Sequence, residues 1–218
     1  METETIKLSA SRLGSFVECP ACFWRDYYKK LPPTSPLPGI LNRMDALTKE
    51  YYDRFRNSIP PSIKGKIREK LVDDETAEIL RKGMKFFDSQ MNAVFSGKMD
   101  DCLIDSKGSL VPLDNKTAKP SDDWRAFYQL QLDGYTLLLQ KNGYKTADYG
   151  YIIYYTPEKG DPQKGIIFNV EVEKLKMHPK HALDIFRNAV KLLRKPNPPR
   201  YHKDCEMCKW LSGIEASE

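Results

Sequence analysis

Cys19-Pro20-Ala21-Cys22 stands near one end of this 218-residue chain and Cys205-Glu206-Met207-Cys208 near the other. Each C-x-x-C turn can present two sulfurs to one tetrahedral centre or cluster, so the two pairs together have the spacing of a four-thiolate metal site. A fold that satisfies them must bring the distant ends of the chain together, and the first role of such a site is structural. Met1-Glu2-Thr3-Glu4 lacks the basic and apolar regions of a signal peptide, and no apolar run approaches the roughly 20 residues that span a bilayer. The expected compartment is the cytoplasm, where paired cysteines point to metal or redox chemistry rather than disulfides. Cys102, alone on an expected strand, reads as a core residue. Zinc suits the two pairs, with His202 as a possible substitute ligand.

Residues 97–117 hold the other informative pattern. Asp105-Ser106-Lys107-Gly108 is turn chemistry, and a three-residue loop from Ser106, with Gly108 supplying a positive φ, predicts a β-hairpin. That register pairs Asp105 with Ser109 and, counted outward, sets Asp100 directly opposite Asp114 on one face. A two-residue loop would make the relation diagonal. Lys116 shares the face, because side chains two apart in a strand point the same way.

Carboxylates about 5 Å apart repel unless a cation lies between them, and a hard divalent ion such as Mg²⁺ or Mn²⁺ accepts that oxygen set. Lys116 beside it would stabilise an attacking hydroxide or a charged phosphoryl oxygen. Asp-x-Lys alone is usually the pattern of a surface salt bridge. Pro112 removes a ladder donor, which places the second strand at an edge, a bulge or a bend.

Around these motifs the chain reads as α/β. Ser9 or Ser11 is expected to cap a helix carrying Leu13, Phe16 and Val17, broken at Pro20. A second short helix then carries Phe23, Trp24, Tyr27 and Tyr28 as core aromatics. Residues 31–38 read as an extended loop and 63–70 as a basic, solvated one. Leu41, Met44, Leu47, Tyr51 and Phe55 recur at helical spacing, and 75–84 is helical in composition. Asp122 and Asp123 cap a helix over 124–141, on which Gln131 and Tyr135 present polar tips at i, i+4. Segments 149–155 and 166–172 read as strands and 182–193 as an amphipathic helix. No Gly/Ser-rich or long Pro-rich linker divides the chain. One domain over 1–218 is therefore expected, a mixed β-sheet flanked by helices. The formal net charge of +5 permits a polyanionic partner without requiring one.

The ordered set resembles the PD-(D/E)xK nuclease superfamily and, within it, the RecB-like branch that includes the CRISPR-associated exonucleases. Gly97-x-x-Asp100 is similar to that branch's G-x-x-D motif, Asp114-x-Lys116-Thr117 to its D-x-K-T, and Gln131-x-x-x-Tyr135 to its Q-x-x-x-Y. The resemblance takes in the Ser-Ala-Ser-Arg-Leu opening and the terminal cysteines, so it covers most of the chain. It implies a restriction-endonuclease-like fold and a Mg²⁺- or Mn²⁺-dependent DNA nuclease, with exonuclease action favoured and DNA with a single-stranded portion as substrate. Asp100 and Asp114 would hold the metal, Lys116 would assist the nucleophile, and Gln131 and Tyr135 would face the substrate.

Two departures stand out. The branch's histidine ligand follows a G-x-x-x-H pattern, but here Gly39 is followed at that spacing by Arg43, which leaves Asp45 as the nearest carboxylate substitute. Relatives hold an iron–sulfur cluster with one upstream and three downstream cysteines, whereas this chain has two and two. The resemblance favours a [4Fe–4S] cluster over Zn²⁺ at Cys19, Cys22, Cys205 and Cys208. The competing reading is a nucleic-acid-binding or partner-docking protein with a decayed nuclease site. The missing histidine speaks for it and the intact Asp100, Asp114 and Lys116 speak against it.

Overall fold

The computed structural model describes residues 4–31, 39–161 and 163–215. In chain order these form β1 (Ile6–Ser9), α1 (Ala10–Glu18), α2 (Pro20–Tyr27), α3 (Gly39–Asp53), β2 (Lys70–Leu71), α4 (Asp74–Lys82), β3 (Met84–Asp88) and β4 (Ala93–Gly97). There follow β5 (Asp101–Ile104), β6 (Leu110–Lys116), α5 (Asp122–Lys141), β7 (Tyr149–Asp161), β8 (Gly165–Lys176), α6 (Pro179–Leu193) and α7 (Glu206–Glu215). No helix among the described residues is long and apolar enough to cross a membrane.

Two sheets share the work. One has the order β1-β4-β3, and the other is a mixed five-stranded sheet in the order β2-β5-β6-β7-β8. Only β6 and β7 pair in parallel within the larger sheet, and α5 forms the crossover between them. Strand alternation divides that sheet's side chains between two cores. Cys102, Leu110, Ile152 and Tyr154 face the core built with β1, β4, α1, α5 and α6. Leu103, Val111, Leu113, Tyr151 and Ile153 face the opposite core, closed by Tyr52 of α3 and by Ile63, Ile67 and Leu71. The expected α/β architecture, a mixed sheet flanked by helices, is the one formed.

The β5–β6 hairpin has the expected register. Asp105 N–H donates to Ser109 O at 3.0 Å, Gly108 has φ +72°, and the ladder runs from Ile104↔Leu110 to Asp101↔Leu113. Gly97, however, ends β4 in the smaller sheet, so Gly97 to Asp100 is a crossing between sheets and not part of the hairpin. Pro112 lies in an interior strand rather than at an edge. Its missing donor faces the β7 side just before the β6–β7 ladder begins at Leu113↔Tyr151, and Gly150 leaves room for its ring.

The smaller sheet was not anticipated from the sequence. Its first strand is β1, and β3 and β4 occupy 84–97. Pro20 does separate α1 from α2, with Cys19 extended between them at φ −151°, ψ 99°. Val17 is exposed, off the buried face that Leu13 supplies. On α3 only Tyr52 is buried, so the apolar stripe read there is largely half-buried or exposed. The loop read at 31–38 lies outside the described residues beyond Leu31.

Candidate active site and four-cysteine centre

Asp114 and Lys116 project from β6 toward α5, on the face opposite Leu113. Burial of Asp114 is nearly complete, and Lys116 Nζ lies 2.5 Å from its Oδ2. That oxygen has no hydrogen-bond donor other than this ammonium. Lys116 Nζ also donates to Gln131 Oε1 at 3.1 Å, and Gln131 Nε2 donates to Tyr135 Oη at 2.8 Å and reaches Asp114 Oδ1 at 3.5 Å. Gln131 thus bridges three groups because i and i+4 on α5 fall on one face above β6. The ring of Tyr128, one turn earlier, receives the Lys116 ammonium at 4.5 Å from its centroid.

Asp100 precedes the last ladder pair, Asp101↔Leu113, by one residue, and the pairing expected between Asp100 and Asp114 is not part of the ladder. Its backbone carbonyl accepts from Arg81 Nε at 3.0 Å, while its carboxylate meets Lys49 of α3 at 2.8 Å. Lys49 also pairs with Asp45 at 2.7 Å. Burial alone would lower the Lys49 pKa, but the two carboxylates outweigh it and hold the ammonium above its usual value.

The neighbouring Asp101 is buried and gripped by Arg56, Nη1 to Oδ1 at 2.7 Å and Nη2 to Oδ2 at 2.8 Å. Arg81 reaches Asp101 at 3.5 Å and Asp53 at 2.9 Å, which ties α3, α4 and the start of β5 into one network. Gly97 matters sterically, since a Cβ there would fall 2.7 Å from Leu138 Cδ1 and 3.4 Å from Tyr135 Cε1. A side chain at position 97 would press on Leu138, so glycine there lets α5 pack closely on the sheet crossing.

Electrostatics set Asp114 apart. Burial pushes its carboxyl above the ordinary range, Lys116 pulls it down, and the Asp100 and Asp45 carboxylates push it up again. Asp45, exposed on α3, is therefore close enough to act on the buried acid. Hard oxygens of this kind suit Mg²⁺ or Mn²⁺, and Asp114 Oδ2, contacted only by the Lys116 ammonium, offers a ligand atom. Among the described residues Asp45, Asp100 and Asp114 do not form a group with all ligand atoms within 4.8 Å, and Lys49 bridges the first two. The sequence motifs named Asp100, Asp114, Lys116, Gln131 and Tyr135, of which the last four lie in one hydrogen-bonded and ion-paired group. They missed Lys49, Arg56 and Arg81, whose only sequence signal is Lys49 at i+4 from Asp45.

The four cysteines do converge. Cys19 and Cys22 flank the α1–α2 break, Cys205 and Cys208 the start of α7, and all four sulfurs lie within 4.8 Å of one another. Cys19–Cys208, Cys22–Cys208 and Cys22–Cys205 are separated by 3.5, 3.5 and 3.6 Å. Burial and then neighbouring sulfurs raise the Cys22 thiol and burial raises Cys19, whereas at Cys205 burial is outweighed by hydrogen bonds from the Cys208 backbone and the other thiols, which lower it. Among the described residues this is a group that could hold a metal. His202 stands apart, its Nδ1 accepting from Asp204 N–H. Cys102 is fully buried in β5, as expected, and its thiol donates to Val111 O.

A family model described as the PD-(D/E)XK nuclease superfamily matches residues 41–212. No curated protein matches the chain. The chain is similar to the solved structure of SSO0001 at 15% identity, with a TM-score of 0.49 over 97% of this chain and 87% of that one.

Proposed function

This chain belongs to the PD-(D/E)XK nuclease superfamily, and on that premise we propose that it hydrolyses phosphodiester bonds in DNA, with exonuclease action favoured. The observation that carries the reading is the buried Asp114 joined to Lys116 and Gln131, with the Asp100 carboxylate near enough to act on it. Asp100 and Asp114 would hold Mg²⁺ or Mn²⁺, with Asp45 a candidate third ligand. Such an ion, when bound, supplies charge neutralisation at the phosphate and an acidified water. Lys116 orients and stabilises the attacking oxygen, held in place by Gln131 and by the Tyr128 ring. Gln131 and Tyr135 position the strand. The placement in the RecB-like branch rests on the three ordered motifs.

The test is incubation of the protein with end-labelled linear and with circular DNA, in Mn²⁺ or in EDTA. Loss of label from linear DNA in Mn²⁺ alone, with circles intact, is the expected result. Binding without hydrolysis under every metal condition would replace the enzyme with the non-catalytic binder.

For the cysteine centre, sulfur spacing supports Zn²⁺ over the [4Fe–4S] cluster. A tetrahedral ion with bonds of about 2.3 Å places its sulfurs about 3.8 Å apart, near the 3.5–3.6 Å found here. A cubane puts a separate iron behind each thiolate and needs a wider opening. The centre would join α1 and α2 to α7 and serve as a structural clamp.

A further inference from the structure

A groove of about 580 Å³ opens between the start of α1, the end of α4 and the β3–β4 hairpin. Ser9, Ser11, Lys82, Lys85, Lys98 and Tyr135 contribute to its lining, and no carboxylate does. All three lysines are exposed. Lys82 is engaged only by a solvent-facing pair with Glu78, an interaction of little strength. The Lys98 stem folds over Gly83, where an added Cβ would stand 3.1 Å from its Cγ, so the end of α4 is shaped to receive it. Ser9 Oγ and Ser11 Oγ lie 3.0 Å apart, and the Ser9 side chain is not spent on capping α1.

Tyr135 joins this groove to the candidate active site. Its ring lines the groove, while its hydroxyl accepts from Gln131, which also contacts Lys116. The groove's lining carries three lysines and no carboxylate, whereas Asp45 and Asp100 are paired with Lys49 and Asp114 with Lys116. A concave surface of one sign concentrates its field on the opposite charge. A polyanion is thus attracted by the groove. The volume is that of a site for about one or two nucleotide units.

We propose that this groove holds the phosphodiester backbone of single-stranded DNA next to the reacting phosphate, with Lys82, Lys85 and Lys98 on its phosphates and the Ser9 and Ser11 hydroxyls donating to phosphate oxygens. The assignment rests on the nuclease reading for its direction along the strand, but backbone binding can be measured without cleavage. The probe is a short fluorescein-labelled single-stranded oligodeoxynucleotide, followed by anisotropy across a salt series in an Asp114→Asn background. Combined Lys82→Ala, Lys85→Ala and Lys98→Ala should weaken binding about tenfold or more and flatten the slope of log K against log salt by about 2. A charge-matched control, Lys107→Ala, Lys159→Ala and Lys164→Ala at the hairpin tips, should leave both unchanged. Equal affinity and slope in the groove variant, or an equal loss in the control, overturns the proposal. With Asp114 intact, Mn²⁺-dependent hydrolysis of thymidine 5′-(p-nitrophenyl) phosphate by the wild type tests the nuclease reading separately, since so small a substrate does not extend into the groove. Absence of that hydrolysis in the wild type would remove the nuclease reading, while the anisotropy contrast still decides the groove.

Discussion

Asp100, the residue just before the last pair of the β5–β6 ladder, Asp101↔Leu113, lies close enough to the buried Asp114 to push its carboxyl pKa upward. Because Asp114 is buried with its carboxyl pushed above the usual range, it is a liability to the fold that its chemistry would justify. Asp114→Asn should therefore lower DNA hydrolysis by about a hundredfold or more while leaving the melting temperature equal or higher. Lys116→Ala should lose activity to a similar degree. Activity within about twofold of wild type in both variants would sink the assignment.

Lys49 and Asp45 should act in opposite directions on metal use. Lys49 now neutralises Asp45 and Asp100 together, so Lys49→Ala should reduce the Mn²⁺ needed for half-maximal rate several-fold, and Asp45→Ala should increase it. A titration unchanged in the Asp45 variant would return that residue to the solvated helix face.

The turn at Asp105 to Gly108 was legible because its chemistry is local, and strand alternation then carried the reading outward to Asp100, Asp114 and Lys116. Gln131 and Tyr135 were legible through their i, i+4 spacing. Long-range contacts were not. β1 pairs with β4 through Ile6↔Ala93, Lys49 meets Asp100 from a different helix, and neither partner announces the other in sequence. Pro112 misled for a related reason. Proline excludes a ladder donor at one position only, and the chain satisfies it by starting the β7 pairing one residue later, beside Gly150.

Arg56 and Asp101 form a buried, bidentate pair whose side chains are 4% and 2% exposed. Removing one partner strands a charge. Arg56→Ala should cost about 3–5 kcal/mol in chemical denaturation, and because the network holds the Asp100 crossing, activity should fall with it. A loss below about 1 kcal/mol would mean that water or Arg81 replaces Arg56.

Asp133 gives the pH dependence. Burial raises its carboxyl pKa, only partly offset by His178 N–H at 2.6 Å and by Gln129, and its Oδ2 is buried without a partner. The folded state then holds the proton more tightly than the unfolded chain. This group's contribution is greatest below the unfolded value and is lost as pH rises from about 4 through the raised folded value. Urea titrations at several pH values should show that decline in the wild type and lack it in Asp133→Asn. Parallel pH profiles would show that Asp133 is ionised at no cost.

The cysteines test whether the clamp is one centre. Because the four sulfurs lie within 4.8 Å of one another and come from opposite ends of the chain, replacing any one should disturb both ends. Cys19→Ser or Cys205→Ser should lower metal content and melting temperature together, whereas Cys102→Ser, buried in β5 and away from the group, should leave metal content unchanged. Protein prepared without air should be colourless and contain about one zinc per chain, as a single tetrahedral ion requires. A brown protein with broad absorption near ~400 nm and several irons per chain would return the centre to a cluster. Metal-free protein whose four cysteines react independently and fast with a thiol reagent would dissolve the shared centre altogether.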